Sequence, residues 1–156
     1  MTKDDRKSVI DIFNYYVENS FAAYPEMELP YEFYDTFLNM CRGYPNAAVR
    51  NETAEVVGFG MLRPYSPVQT FSRTAEITYF IGPDHTGHGL GKRLLDFLVD
   101  EGRSKSISSI LASISSLNEG SIRFHAKHGF VECGRFRSIG QKRGKVFDVV
   151  YYQKML

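Results

Sequence analysis

The sequence predicts a mixed α/β (α+β) domain, and three observations carry that expectation. Apolar residues recur at helical spacing near the N-terminus (Val9, Ile10, Phe13, Val17) and again at Leu90, Leu94, Leu95 and Leu98. Between them, Thr74–Ile81 is a β-branched and aromatic run with period-two alternation. Helical and extended stretches then interleave to the C-terminus, so one sheet flanked by helices is expected. The chain has 156 residues and 17.8 kDa, the size of one domain spanning 1–156. A domain this long buries roughly 68–70% of its unfolded surface, so it needs no disulfide or metal to fold. With 43% hydrophobic and 24% charged residues, it is not a disordered chain, a collagen-like chain or a small disulfide scaffold. Ten Tyr, 12 Phe and no Trp predict a core built on phenyl and phenol rings.

Taken in order, residues 4–19 read as an amphipathic helix, and Pro25 and Pro30 punctuate a loop before a second helix over 31–41. Residues 46–50 and 55–62 read as strands joined at Asn51-Glu52, and 63–72 as a loop holding Pro64 and Pro67. In the strand 74–81, period two places Glu76, Thr78 and Phe80 on one face and Ile77, Tyr79 and Ile81 on the other. Pro83 closes it. A helix begins near Leu90 and ends near Gly102, and 108–114 is a strand. Asn118 or Ser121 caps a helix running to Gly129. Residues 130–138 and 146–154 form two last strands around a polar turn, 140–145.

Net charge is +1 but unevenly spread: −3 over residues 1–50, −2 over 51–100 and +6 over 101–156. A basic last third suits an anionic ligand or simply a solvated surface. Cys41 and Cys133 lack a C-x-x-C spacing and are expected to be free and buried, in a reducing compartment. The charged N-terminus has no apolar segment behind it, and no apolar run reaches the 18 residues of a membrane span, so a cytoplasmic location without membrane partners is expected.

The most informative segment is His85-Thr86-Gly87-His88-Gly89-Leu90-Gly91-Lys92, between a strand and a helix. Glycines let a backbone approach a ligand closely, and a helix N-terminus adds unpaired N–H donors and a positive dipole end. The combination suits a phosphate or pyrophosphate; the alternative is a plain glycine-rich turn. A dinucleotide fingerprint, G-x-G-x-x-G, fails at Lys92 or at Leu94, and a P-loop fails because Thr86 lies where its first glycine belongs and Arg93 follows Lys92.

Thr86-Gly87-His88-Gly89-Leu90-Gly91 resembles the acetyl-CoA signature of the Gcn5-related N-acetyltransferases (GNAT), Arg/Gln-x-x-Gly-x-Gly/Ala. A second block, Asn118, Ser121, His125 and Gly129-Phe130, resembles that family's Asn, small residue, Tyr and Gly-Phe series. Thr74-Ala75-Glu76, His85, and the tail Lys142, Gly144 and Asp148 extend the likeness to the phosphinothricin and methionine-sulfone acetyltransferase subfamily. The resemblance implies a mostly antiparallel sheet of six or seven strands with about four helices, acetyl-CoA as co-substrate, a small primary amine as acceptor, and a homodimer. Because the chain begins almost at its first helix, six strands, or an edge strand supplied otherwise, are expected. Three departures stand out. Thr86 replaces the signature's Arg or Gln, which removes one charged pyrophosphate contact. His125 replaces the broad family's Tyr. Val146 and Phe147 stand where some subfamily members carry Trp and His.

The resemblance also implies roles for individual residues. Glu76 is the candidate base for the ammonium of an amine, with a surface or salt-bridged glutamate, paired with Arg73, as the alternative. Main-chain atoms of Tyr79, Phe80 and Ile81 would pair with pantetheine and polarise the thioester carbonyl. Thr86, Gly87, His88, Gly89, Leu90, Gly91 and Lys92 would hold the pyrophosphate. Asn118 would bond the pantetheine or serve as a helix cap, with Ser121 more weakly placed. His125 would protonate the leaving thiolate, orient the amine or be a core histidine. Arg73 would meet a substrate carboxylate or lie on the surface.

His85/His88 and His125/His128 are spaced three apart but lack an H-E-x-x-H arrangement and a third ligand, so no metal is expected. The Lys142-Arg143-x-Lys145 run suggests a grip on an adenosine 3′-phosphate or an acidic substrate; with no basic helix, nucleic acid is not an expected partner. An enzyme acting on a protein N-terminus or lysine, and a non-catalytic CoA-binding module, are the competing functions.

Overall fold

The computed structural model describes residues 1–156. A short 3₁₀ turn, Lys3–Asp5, leads into helix α1 (Arg6–Asn19), and a second, Tyr31–Phe33, into α2 (Tyr34–Met40). Strands β1 (Asn46–Arg50), β2 (Val56–Pro64) and β3 (Thr74–Ile81) follow, then α3 (Leu90–Ser104), β4 (Ser109–Ser115), α4 (Glu119–Lys127), β5 (Val131–Lys142) and β6 (Lys145–Met155). The six strands form one sheet in the order β1-β2-β3-β4-β6-β5. Every pairing is antiparallel except β3 with β4. The expected mixed, mostly antiparallel sheet and the four helices are both present.

Alternation along the strands builds a core on each side of the sheet. On one side, Val9, Ile10, Phe13 and Val17 of α1 and Tyr34 and Phe37 of α2 cover Phe59 and Met61 of β2, with Phe80 of β3 packed against them. On the other, Leu94, Leu95, Leu98 and Val99 of α3 cover Ile77 and Ile81 of β3, Ile110, Ala112 and Ile114 of β4, and Val150 of β6. The two faces of β3 therefore divide as its period predicts. The phenyl-rich core is also present: Phe80 meets Phe13, Tyr16 and Phe59 at centroid distances of 5.3, 5.1 and 5.7 Å.

The C-terminal third departs from expectation. Residues 140–145 are mostly strand, and the hairpin turns through Arg143 and Gly144 alone, at φ of 50° and 71°. Two successive positive φ values define the type I′ turn that matches strand twist. Lys142, expected at a solvated turn, is 1% exposed. Its ammonium donates to Val17 O, Ser20 O and Ala23 O at 2.7, 3.0 and 2.7 Å, and Arg143 Nη2 also reaches Val17 O. These carbonyls end α1 and begin the α1–α2 connection, where a cation suits both the unpaired acceptors and the negative dipole end. Lys142 and Arg143 thus tie the β5–β6 hairpin to α1, and the reading of this run as a grip on phosphate or an acidic substrate is corrected.

Cys41 is buried, but Cys133, also expected inside, is exposed on β5. β5 is the sheet edge, and its residues lack a covering layer; Val131, Phe136 and Ile139 stay exposed there.

Candidate active site

The site originates in an interrupted strand pairing. β3 pairs with β4 only through Thr74, Ala75 and Glu76, opposite Ser109, Ile110 and Leu111. From Ile77 the strands diverge, while β2 holds the other edge of β3 as far as Ile81. The divergence leaves one edge of β3 without a strand partner and opens a cleft of about 930 Å³. An unpaired strand edge inside a cleft can accept an extended ligand as an added strand. At the end of β3, Tyr16 of α1 donates its hydroxyl to Ile81 O at 2.6 Å.

One end of the cleft is the glycine turn. None of the main-chain N–H groups from Gly87 to Lys92 donates within the protein; the first to do so is Arg93, to Gly89 O at 3.1 Å. Gly87 and Gly89 sit at φ of 80° and 78°, where other residues are strained, and a Cβ at either would meet nothing within 4 Å. No internal crowding explains these glycines. Their conformation curls successive amides outward at the N-terminus of a 15-residue helix, a ready-made anion site. Thr86, Gly87, Gly89, Gly91 and Lys92 line the cleft. His88 points to solvent and Leu90 is half-buried against the α3-side core, so these two enter only through the main chain.

α4 forms a second wall. Asn118 is its N-cap, accepting Ser121 N–H at 3.2 Å, and its own Nδ2 has no partner in the protein. It can therefore cap and donate into the cleft together. His125 is 4% exposed, with Nδ1 2.8 Å from Ser121 O and 3.2 Å from Ser121 Oγ. A carbonyl can only accept, so Nδ1 carries the proton, and Nε2 accepts from the Tyr79 hydroxyl 2.9 Å away. Burial holds the imidazole below its ordinary pKa and pushes the Tyr79 phenol far above its own. Both groups are neutral near pH 7, and both ring nitrogens of His125 are occupied. The Tyr79 side chain is thus half of a hydrogen-bonded pair in the cleft wall. His128 turns its Nδ1 onto Phe124 O at 2.7 Å.

Glu76 lies in the cleft where β3 leaves β4 and is ion-paired with Arg63, directly opposite it on β2. Burial raises the carboxyl above its ordinary pKa, and the opposing pull of Arg63 does not cancel this. The expected partner, Arg73, is elsewhere. It precedes β3 at the end where β3 and β4 are still paired, its carbonyl accepts Ser108 N–H and Ser109 N–H at 2.9 and 3.2 Å, and its side chain is exposed, off the cleft wall. The cation that the strand brings to Glu76 is Arg63, which sequence reasoning placed in a loop. The missed signal is register: β2 runs on through Pro64, so Arg63 falls opposite Glu76. Tyr16, Tyr24 and Phe124 of the cleft wall were also missed, because α1, the α1–α2 connection and α4 reach β3 only in the tertiary fold.

The arrangement offers an anion cradle, a free strand edge and a carboxylate of raised pKa in one cleft. The model of the acetyltransferase (GNAT) family matches residues 9–130. Two curated relatives align over nearly the whole chain. A phosphinothricin N-acetyltransferase from Streptomyces coelicolor is 28% identical, covering 99% of this chain and 92% of its own length. An L-methionine sulfoximine/L-methionine sulfone acetyltransferase from Pseudomonas aeruginosa is 29% identical, covering 96% and 88%. Among solved structures, a phosphinothricin acetyltransferase from Sinorhizobium meliloti in complex with AcCoA superposes at TM-score 0.94, with 25% identity over 100% of this chain and 85% of that one. A ribosomal-protein-alanine N-acetyltransferase from Brucella melitensis does so at 0.93, with 32% identity over 100% and 97%. With the family model matched over most of its length and relatives aligned end to end, this chain belongs to the acetyltransferase (GNAT) family and is an N-acetyltransferase.

Proposed function

We propose that the chain, as one catalytic domain over 1–156, transfers the acetyl group of acetyl-CoA to the primary amine of a small molecule, an amino acid or amino-acid analogue, by direct transfer with both substrates bound. The observation that carries this is Glu76: a carboxylate of raised pKa at the point where β3 and β4 part, in the cleft that also contains the unpaired amides of residues 87–92. Glu76 is the only acidic residue on the cleft wall, which it shares with aromatic side chains including Phe13, Tyr16, Tyr24 and Phe124. An acidic, open groove would suit a protein N-terminus or lysine; this cleft suits a small amine.

Acetyl-CoA supplies the acyl group as an activated thioester. The residues present fit it. Amides of Gly87–Lys92 receive the diphosphate, with Lys92 adding charge and Thr86 lining the same end. Asn118 Nδ2 and the free-edge main chain of Tyr79 and Ile81 receive the pantetheine amides, Phe80 turning its own N–H and C=O to Phe59 of β2, and an N–H on that edge polarises the carbonyl. Glu76 takes one proton from the substrate ammonium, directly or through water. The neutral amine then forms the C–N bond as the C–S bond breaks, and its second proton balances the departing thiolate. Holding both reactants in one cleft supplies much of the rate. His125 acts as a positioning residue, fixed by Ser121 and holding the Tyr79 hydroxyl.

A homodimer in a reducing, cytoplasmic setting belongs to the same reading. The exposed apolar edge of β5 and the unpaired thiols support it. Thiol release from acetyl-CoA, measured over a panel of amino acids and their analogues, tests the function. Turnover with amino-acid amines is expected; acetyl-CoA binding by calorimetry without turnover on any amine would replace this reading with a non-catalytic CoA-binding module.

A further inference from the structure

The Arg63–Glu76 pair has spare capacity on the cation side. A guanidinium has five N–H donors. Arg63 has one partner in the whole protein, Glu76, and its Nε is buried with none. The other basic residues on the cleft wall are Lys92, bonded to Asp96 within α3, and Lys127 in the last turn of α4. Arg63 is therefore the cation beside the base, on the neighbouring strand and in direct register with it.

We propose that Arg63 is the specificity-determining residue for the acceptor: it binds the carboxylate of an α-amino acid, exchanging its bond to Glu76 for one to the substrate. This rests on the small-amine reading above. An α-amino acid has its ammonium and carboxylate on one carbon, so both groups can meet Glu76 and Arg63 across adjacent strands. The exchange converts one ion pair into two, Glu76 with the ammonium and Arg63 with the carboxylate, and strands no charge. A planar guanidinium can meet that carboxylate through two parallel N–H donors. An amine without a carboxylate must either break the Arg63–Glu76 pair and leave Arg63 alone, or leave its own ammonium unpaired. Losing a hydrogen bond to a charged group in a half-buried site corresponds to a discrimination on the order of 10- to 100-fold. The exchange also releases Glu76 from the one cation that restrains it. The groups facing Glu76 are Arg63 from β2, Tyr24 from the α1–α2 connection and Tyr151 from β6; the two phenols are uncharged at neutral pH, so Arg63 is the only charge involved.

The test compares kcat/KM for matched pairs, an L-amino acid against its decarboxylated amine, in the full chain with acetyl-CoA. Phenylalanine with phenethylamine, and methionine sulfone with its decarboxylated counterpart, serve. The wild type should prefer the amino acid by about 10- to 100-fold, mainly through KM. In Arg63→Gln this ratio should collapse toward one, because any general loss from disturbing Glu76 falls on both members of a pair. The acid limb of the pH profile for the decarboxylated amine should move upward, since the cation lowering the Glu76 pKa is gone. Arg63→Lys, which keeps the charge, should restore the acid limb but only part of the preference, and it replaces the Gln variant if thermal melts show Gln unfolded. No preference in the wild type, or a preference that survives Arg63→Gln, overturns the inference and leaves the acetyltransferase reading intact. Failure to acetylate any amine removes that reading and this one with it.

Discussion

Lys142→Met isolates the contact that ties the C-terminal hairpin to α1. Met keeps an unbranched apolar stem and fills similar space, so the change removes three donors with little loss of packing. The Lys142 ammonium serves Val17 O, Ser20 O and Ala23 O, and only Val17 O retains a second donor, from Arg143. Two carbonyls lose their partners at about 1–3 kcal/mol each. Relief of the buried ammonium offsets part of that, leaving a loss of about 3 kcal/mol. At roughly 2–4 °C per kcal/mol for a chain of this size, Tm should fall by about 6–12 °C. Calorimetry or a circular-dichroism melt reads this, and the urea midpoint should drop with its slope unchanged. Ala22, Ala23 and Tyr24, in the tethered connection, line the cleft. The KM for the amine should therefore rise several-fold while that for acetyl-CoA, which the proposed function seats at residues 87–92, stays near the wild-type value. A Tm drop below about 2 °C would show that water replaces the ammonium at no cost, and an equal rise in both KM values would refute the tether as a support of the amine side.

Glu76→Gln should lower kcat by about 10²- to 10⁴-fold and abolish the acid limb of the pH profile. In the wild type that limb should lie above the ordinary carboxylate range, with activity falling as pH drops through it, because burial raises the Glu76 pKa in spite of Arg63. Gly89→Ala forces an L side chain to φ of 78° at a cost of roughly 1–2 kcal/mol, with no clash to disturb the fold; calorimetry should show weaker acetyl-CoA binding and steady-state assays little change in the amine KM. Asp5 is buried beneath Arg50 and accepts Thr2 N–H at 2.7 Å. Burial alone would raise its pKa, but the Thr2 and Arg50 bonds together hold it below the ordinary value. Its contribution is therefore present above the unfolded pKa and lost as pH falls through the lower folded one. Asp5→Asn should destabilise by about 1–2 kcal/mol at pH 7 and by nearly nothing at about pH 2, as urea titrations at both pH values can check.

Two parts of the site were legible residue by residue. The glycine turn announces itself because a run of glycines before a helical period has few uses other than baring amides, and the structure leaves those of 87–92 unpaired. The strand Thr74–Ile81 is equally plain, since alternation along one segment is a local property; its ends match the reading to the residue. The hairpin was less so: Gly140 to Lys145 has loop-like composition, yet most of it is strand because Lys142 finds its acceptors on α1, more than a hundred residues away in the chain.

What the sequence alone determined, then, are features written within a few consecutive residues: periods, caps, turn glycines and a short signature whose chemistry is carried by the main chain. Only the tertiary structure decided which side chains meet. It set Arg63 rather than Arg73 against Glu76, gave His125 a phenol partner from β3, parted β3 from β4 after Glu76, and turned Lys142 inward. Register, strand divergence and burial depend on how distant segments pack, and no local pattern of residue types encodes the distance between two side chains on separate elements.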